Sequence, residues 1–193
     1  MRVRVPCSAS NLGSGFDCIG LAFNRYLEAG FEPGGKSLVL ERSGTVESLT
    51  GDVREDLLAR TFIDTMERLG RTARGVLNVR SEIPVARGLG SSAAATIAGL
   101  MLAAAYARGD QDSHEEQAAQ LDVLAEAAAR EGHVDNVGPA LLGGLVAVAP
   151  VVSDGSHWAY SLRRLTLSPL LGFSFAAPDV TVATPAARAA LPA

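Results

Sequence analysis

The run that constrains this chain most lies between a strand-like segment and an alanine-rich helix: Pro84, Val85, Ala86, Arg87, Gly88, Leu89, Gly90, Ser91, Ser92, Ala93 and Ala94. Residues 75–83 before it alternate apolar and polar side chains, as a half-buried strand does. Residues 93–107 after it are dense in Ala, Leu, Met and Ile and predict a buried helix. Gly88 and Gly90 let the backbone take positive φ and let a ligand reach the main chain. A helix starting here turns unpaired N–H groups, and the positive end of its dipole, toward the loop. Such a turn can cradle an anion, phosphate first, which suggests a nucleotide-using enzyme. The plain alternative is a Gly-Ser helix start with no ligand.

Two common phosphate loops fit poorly. A P-loop needs Lys before its Ser or Thr, and here Leu89 and Gly90 precede Ser91. A dinucleotide fingerprint is matched literally by Gly88, Gly90 and Ala93, but residues 84–87 separate its first glycine from the strand. The acidic residues about twenty positions on, Asp110 and Asp112, fall between helices.

The rest of the chain predicts strands over 2–6, 19–26 and 37–42, with a small-residue loop over 8–15 and a turn at Pro33, Gly34 and Gly35. An amphipathic helix is predicted over 53–69, with Leu58, Phe62, Met66 and Leu69 on one face and Gly70 as its stop. A further helix is capped by Ser113, with Glu116 at the capping-box position, and runs to about Arg130. A polar loop over 131–139 follows, then strands over 142–149, 157–165 and 170–175; Thr184 and Pro185 open a last helix. Strands, helix, strand, two helices, then strands make an α+β order, against a dinucleotide fold.

Composition narrows the function classes. The 193 residues are 48% apolar, enough for a sizeable core, and carry a net charge of −4. Lys36 is the one lysine and no basic cluster exists, which argues against nucleic-acid binding. The apolar stretches are broken by Gly or Arg and the first residues lack a signal-peptide core, so no membrane partner and a cytoplasmic location are expected. Cys7 and Cys18 fit reduced thiols there.

Three motifs together carry a resemblance. Residues 6–21 (PCSASNLGSGFDCIGL) resemble the first motif of homoserine kinases, residues 84–95 the phosphate loop of the GHMP kinases, and residues 131–144 (EGHVDNVGPALLGG) the homoserine kinase signature after the second helix. Residues 184–192 (TPAARAALP) resemble a fourth family segment. The chain is thus similar to homoserine kinases of the GHMP family. The resemblance implies an N-terminal domain like domain 2 of ribosomal protein S5, with the C-terminal domain largely missing: residues 1–165 as the ATP-binding domain and 166–193 as the start of a truncated second one. It implies ATP and Mg²⁺ as cofactors, L-homoserine as substrate, a homodimer, and a step toward threonine. A GHMP kinase for another small alcohol, and an inactive nucleotide-binding fragment, are the alternatives.

The same resemblance distributes roles. Residues 84–94 would hold the ATP phosphates, and the Ser92 hydroxyl and the Glu131 carboxylate would be the Mg²⁺ ligands, since that ion takes few protein ligands. Glu126 is the alternative carboxylate, more simply read as a solvated helix residue. Asp17 can pair with the homoserine ammonium or serve as a base, and Asn11 can bond its polar tail; each could instead be a turn residue. His133 and Asn136 would contact the amino acid, though a lone His is more often structural. Arg188 fits a carboxylate clamp near Thr184, against a solvated arginine as the plain reading. Asp17, Ser92 and Glu131 form the catalytic set. His114 and His157 receive no role. Where the family often carries an Asn toward the nucleotide, this chain has Leu58, Ala59, Arg60 and Thr61.

Overall fold

Alternation along the strands sets the sheet's two faces. Val5, Cys7, Leu27, Ala29, Phe31, Leu77 and Val79 are buried, while the intervening Arg4, Glu28 and Arg80 face solvent. A computed structural model describes residues 1–10, 12, 15, 17–109, 116–151 and 159–177. The elements run β1 (Arg2–Ser10), β2 (Ile19–Pro33), β3 (Leu38–Gly44), α1 (Leu57–Arg68), β4 (Gly75–Ser81), α2 (Ser91–Arg108), α3 (Glu116–Glu131), α4 (Val137–Leu142), β5 (Leu145–Val151) and β6 (Ala159–Leu165). The strands form one six-stranded sheet in the order β3-β4-β2-β5-β6, with β1 paired to β2. The α+β class expected from the element order holds.

β2 is the spine of the sheet. Its residues 27–33 pair with β4 and residues 19–21 with β5, while β1 runs antiparallel along it. The β1–β2 register shifts between Pro6 and Cys7. A bulge suits Pro6, which has no N–H for a ladder. The sequence expectation ended β2 at residue 26 and made 8–15 a loop. Instead β2 continues to Pro33, and Ser8, Ala9 and Ser10 remain in the ladder opposite Ala22, Leu21 and Gly20.

The helices complete the core. Leu58, Phe62 and Met66 of α1 and Ile97, Leu100 and Leu102 of α2 pack against the buried strand residues. Phe31 meets the rings of Phe62 at 4.8 Å and Tyr106 at 5.1 Å. Each such fully buried side chain is worth about 1.5–3 kcal/mol. Asp56 caps α1 by accepting the Ala59 N–H, and also takes the Arg42 Nε, both near 3 Å. That cap starts the helix at Leu57 rather than at residue 53, and Leu69, its C-cap, lies exposed rather than on the buried face. α1 and α2 cross closely at Gly99, where a Cβ would stand 2.8 Å from the Leu58 carbonyl oxygen and 2.9 Å from Thr61 Cβ.

Two further expectations fail. Residues 137–142 form α4 within the stretch read as loop and strand. Gly143 and Gly144, both at φ 71°, then turn the chain into β5. Residues 170–175 form no strand; Leu170, Leu171, Phe173 and Phe175 are exposed, and Phe175 touches the Phe23 ring at 4.3 Å. Ser113, His114, His157 and the helix expected at Thr184 and Pro185 lie outside the described residues. Among the described residues, no helix is long and apolar enough to cross a membrane.

Candidate active site

The glycine loop leaves β4 with its entry pinned. The Thr45 hydroxyl donates to the carbonyl oxygen of Ile83 at 2.7 Å, and the Ile83 N–H donates to Ser81 Oγ at 3.1 Å. Ala86, Gly88 and Gly90 all have positive φ, at 55°, 72° and 63°. Left-handed residues alternating with ordinary ones can turn successive N–H groups toward one concavity, an anion-binding nest. The Ala86 N–H reaches back toward Ser91 Oγ at 3.4 Å. Leu89 is buried, and its carbonyl accepts the Ser8 N–H at 3.2 Å, so the loop is docked onto β1.

α2 begins at Ser91 with Gly90 as N-cap and no side-chain cap bond. Its first intrahelical bond, from the Ala94 N–H to the Gly90 carbonyl, leaves the N–H groups of Ser91, Ser92 and Ala93 ahead of it at the positive helix end. Ala93 and Ala94 bury their methyl groups, and their main chain is what the loop can offer a ligand. Pro84, Val85 and Arg87 are half-buried along the loop.

Ser92 is exposed, and its hydroxyl donates to Glu131 Oε2 at the end of α3. The other carboxylate oxygen, Oε1, accepts the hydroxyl of buried Thr96 at 2.7 Å. The fold therefore brings Ser92 and Glu131 together across 39 residues of sequence. One hydroxyl and one carboxylate are hard oxygen donors that suit Mg²⁺, which takes a few protein ligands and completes its shell with water and phosphate. Among the described residues, no three His, Cys, Asp or Glu side chains gather into an all-protein cage. Glu126 points elsewhere. It pairs with Arg68 at 3.0 Å and Arg130 at 2.8 Å, and Arg130 also reaches Asp64 at 3.4 Å, linking α1 to α3. Burial pushes the Glu126 carboxyl up, but the bond from Arg130 and the charge of Arg68 outweigh it and hold it below its ordinary value. It is an ion-paired residue rather than a merely solvated one.

The 131–136 loop closes the site. His133 Nδ1 lies 2.9 Å from Asp135 Oδ1, which also accepts the Asn136 N–H at 2.9 Å. Asp135 is 1% exposed. Burial raises its carboxyl, but bonds from His133 and Ser10 prevail and hold it below the ordinary aspartate value. Asn136 Nδ2 donates to Ser10 Oγ at 2.9 Å, and its Oδ1 accepts from Ser8 Oγ at 3.0 Å. A Cβ on Gly20 would sit 1.9 Å from the Asp135 carbonyl oxygen, so that glycine lets the first motif meet the third. Asp17 lies exposed in the turn before β2 at φ 57°. Asn11, Thr184 and Arg188 lie outside the described residues. Sequence reading missed Ser8, Ser10 and Thr96. Thr96 had a signal in its position four residues beyond Ser92, on the same helix face.

Residues 56–144 match the family of GHMP kinases through its N-terminal domain. The chain is 35% identical over all 193 residues to a homoserine kinase of Clostridium botulinum, and covers 60% of that protein. It is 40% identical over 145 residues to a homoserine kinase of Carboxydothermus hydrogenoformans, a match over 75% of this chain and 45% of that one. A crystal structure of homoserine kinase from Cytophaga hutchinsonii superimposes with a TM-score of 0.68 at 25% identity, over 100% of this chain and 60% of that one. The chain thus spans about 60% of the length of the first curated relative it matches.

Proposed function

We propose that the chain is a GHMP kinase and carries the ATP-binding part of a homoserine kinase, which converts L-homoserine and ATP to O-phospho-L-homoserine and ADP on the way to threonine. The match of residues 56–144 to the GHMP kinase N-terminal domain and the 35% identity to a homoserine kinase support this. The observation that carries this reading is the meeting of Ser92 and Glu131 beside the nest of residues 86–90. Residues 1–165 are assigned to the ATP-binding domain and 166–193 to the start of a second one. The relatives reported are homoserine kinases, which favours homoserine over another small alcohol. Both thiols, Cys7 and Cys18, are free, in keeping with a cytoplasmic enzyme. On the same resemblance the enzyme is a homodimer. Its single lysine and lack of a basic cluster argue against a nucleic-acid partner, and its apolar stretches, broken by Gly or Arg, against a membrane one.

The chemistry asks mainly for positioning and charge neutralisation. The homoserine hydroxyl oxygen bonds to the γ-phosphorus as the bond to the β–γ bridging oxygen breaks, and ADP leaves. Loop N–H groups from residues 86–90, with those of Ser91, Ser92 and Ala93, hold phosphate oxygens. Ser92 and Glu131 would hold Mg²⁺, which when bound neutralises charge on the phosphates. Asp17 pairs with the substrate ammonium, and Asn11, His133, Asn136, Thr184 and Arg188 orient the rest of the amino acid. A loose transition state keeps the hydroxyl proton until late, when it passes to solvent water, so Asp17 need not act as a strong base.

The test is ADP release from Mg-ATP with L-homoserine, beside a Ser92→Ala variant. Homoserine-dependent turnover that disappears in the variant supports the reading. Turnover of another alcohol with homoserine inert overturns the substrate, and ATP binding without any turnover leaves a nucleotide-binding unit.

A further inference from the structure

Thr96 stands one helical turn beyond Ser92 on α2 and is fully buried. A threonine inside a helix commonly turns its hydroxyl back to the carbonyl four residues earlier, as Thr65 does to Thr61 at 2.7 Å. Thr96 instead donates its single proton at 2.7 Å to Glu131 Oε1, 35 residues away. The two oxygens of one carboxylate are thereby divided, with Oε1 held by Thr96 and Oε2 facing Ser92.

Building on the kinase reading above, we propose that Thr96 is a positioning residue that sets the cation preference of this site by confining Glu131 to one ligating oxygen. Mg²⁺ is small, demands near-octahedral geometry and keeps several waters, so a one-oxygen carboxylate suits it. Ca²⁺ is larger, accepts six to eight oxygens and gains from a carboxylate that gives both. A hydroxyl bonded to a carboxylate is a charge-assisted contact strong enough to fix that group's rotation. Without it, Glu131 can swing to present both oxygens, which favours the larger ion. Thr96 touches no substrate; it acts through Glu131.

The experiment is an ATP titration of this chain followed by calorimetry, in EDTA, in Mg²⁺ and in Ca²⁺. The readout is the gain in ATP affinity that each cation gives and the ratio of the two gains. Wild type is expected to favour Mg²⁺. In Thr96→Val the Mg²⁺-over-Ca²⁺ ratio should fall about tenfold, the weight of one bond to a charged group, and Thr96→Ser should restore it. Thr96→Ala, in a helix already rich in alanine, should repeat the loss if valine disturbs the packing. A loss of stability alone would lower Tm without moving the ratio. An unchanged ratio in folded Thr96→Val and Thr96→Ala overturns the proposal. Wild-type ATP binding with no gain from either cation overturns the metal site itself, a different failure from the first.

Discussion

Ser8 Oγ lies 3.0 Å from Asn136 Oδ1 and 3.1 Å from the Asn136 carbonyl oxygen, so one hydroxyl proton from β1 serves the residue that opens α4. Ser8 is fully buried, and its N–H holds the Leu89 carbonyl of the glycine loop. A single residue thus joins the candidate phosphate loop to the candidate substrate loop. Asn136→Ala removes the amide that accepts from Ser8 Oγ and donates to Ser10 Oγ. It should lower stability by about 1–3 kcal/mol in urea unfolding and weaken ATP binding in the same protein. If neither quantity moves, the two loops are not coupled through this pair.

Gly88 and Gly90 separate two costs that usually come together. Both have positive φ, but a Cβ at Gly88 meets nothing within 4 Å, whereas one at Gly90 would stand 2.2 Å from Ser8 Oγ and 2.9 Å from the Ser8 carbonyl oxygen. Gly88→Ala should cost only the left-handed penalty of about 1–2 kcal/mol. Gly90→Ala should cost clearly more and displace the loop from β1, with ATP affinity falling alongside Tm. Equal Tm losses in the two variants would mean that the loop shifts freely at Gly90.

The glycine loop was legible because its chemistry is local: positive φ, small residues and a helix start are written in consecutive positions. The pairing of Ser92 with Glu131 was reached through family resemblance, since no spacing rule joins residues across an intervening helix and turn. Thr96 left only a weak trace, its place four residues beyond Ser92, because a threonine inside an alanine helix reads as core until the carboxylate above it is known. α4 falls across residues read as the end of a polar loop and the start of a strand, yet Pro139 fits the first turn of a helix and Gly143 marks the stop. Residues 170–175 carry strand-like apolar residues, but they pair with no described strand and the sheet ends at β6.

Asp135 predicts an acid limb with a definite sign. Its carboxyl is held below the ordinary value of 3.8: burial opposes the shift, but bonds from His133, Ser10 and the Asn136 N–H outweigh it. A depressed folded pKa contributes stability that is fully present above the unfolded value and is lost as pH falls through the folded one. Wild type should therefore exceed Asp135→Asn in stability near neutral pH. The difference should shrink only once pH drops below about 3.8, the unfolded reference. Urea midpoints of both proteins across that range provide the check. A difference that vanishes already near pH 6 would assign the effect to another group.

Thr61 offers the reverse case, a polar atom whose removal should help. Its Oγ1 is buried with no hydrogen-bond partner among the described residues, in the α1–α2 contact where Gly99 admits it. Thr65, one turn on, does bond its hydroxyl to the Thr61 carbonyl. A buried hydroxyl without a partner carries its desolvation cost uncompensated. Valine has nearly the same shape and a similar helix propensity, so Thr61→Val should keep the packing while removing that cost. We expect a gain of about 1 kcal/mol, seen as a Tm rise of about 2–4 °C. Thr61→Ser keeps the hydroxyl and deletes a methyl group, so it should lose about 1 kcal/mol. Thr65→Val removes a made bond and should not stabilise. A lower Tm in Thr61→Val would mean that the hydroxyl has a partner in solution, such as a bound water between the helices.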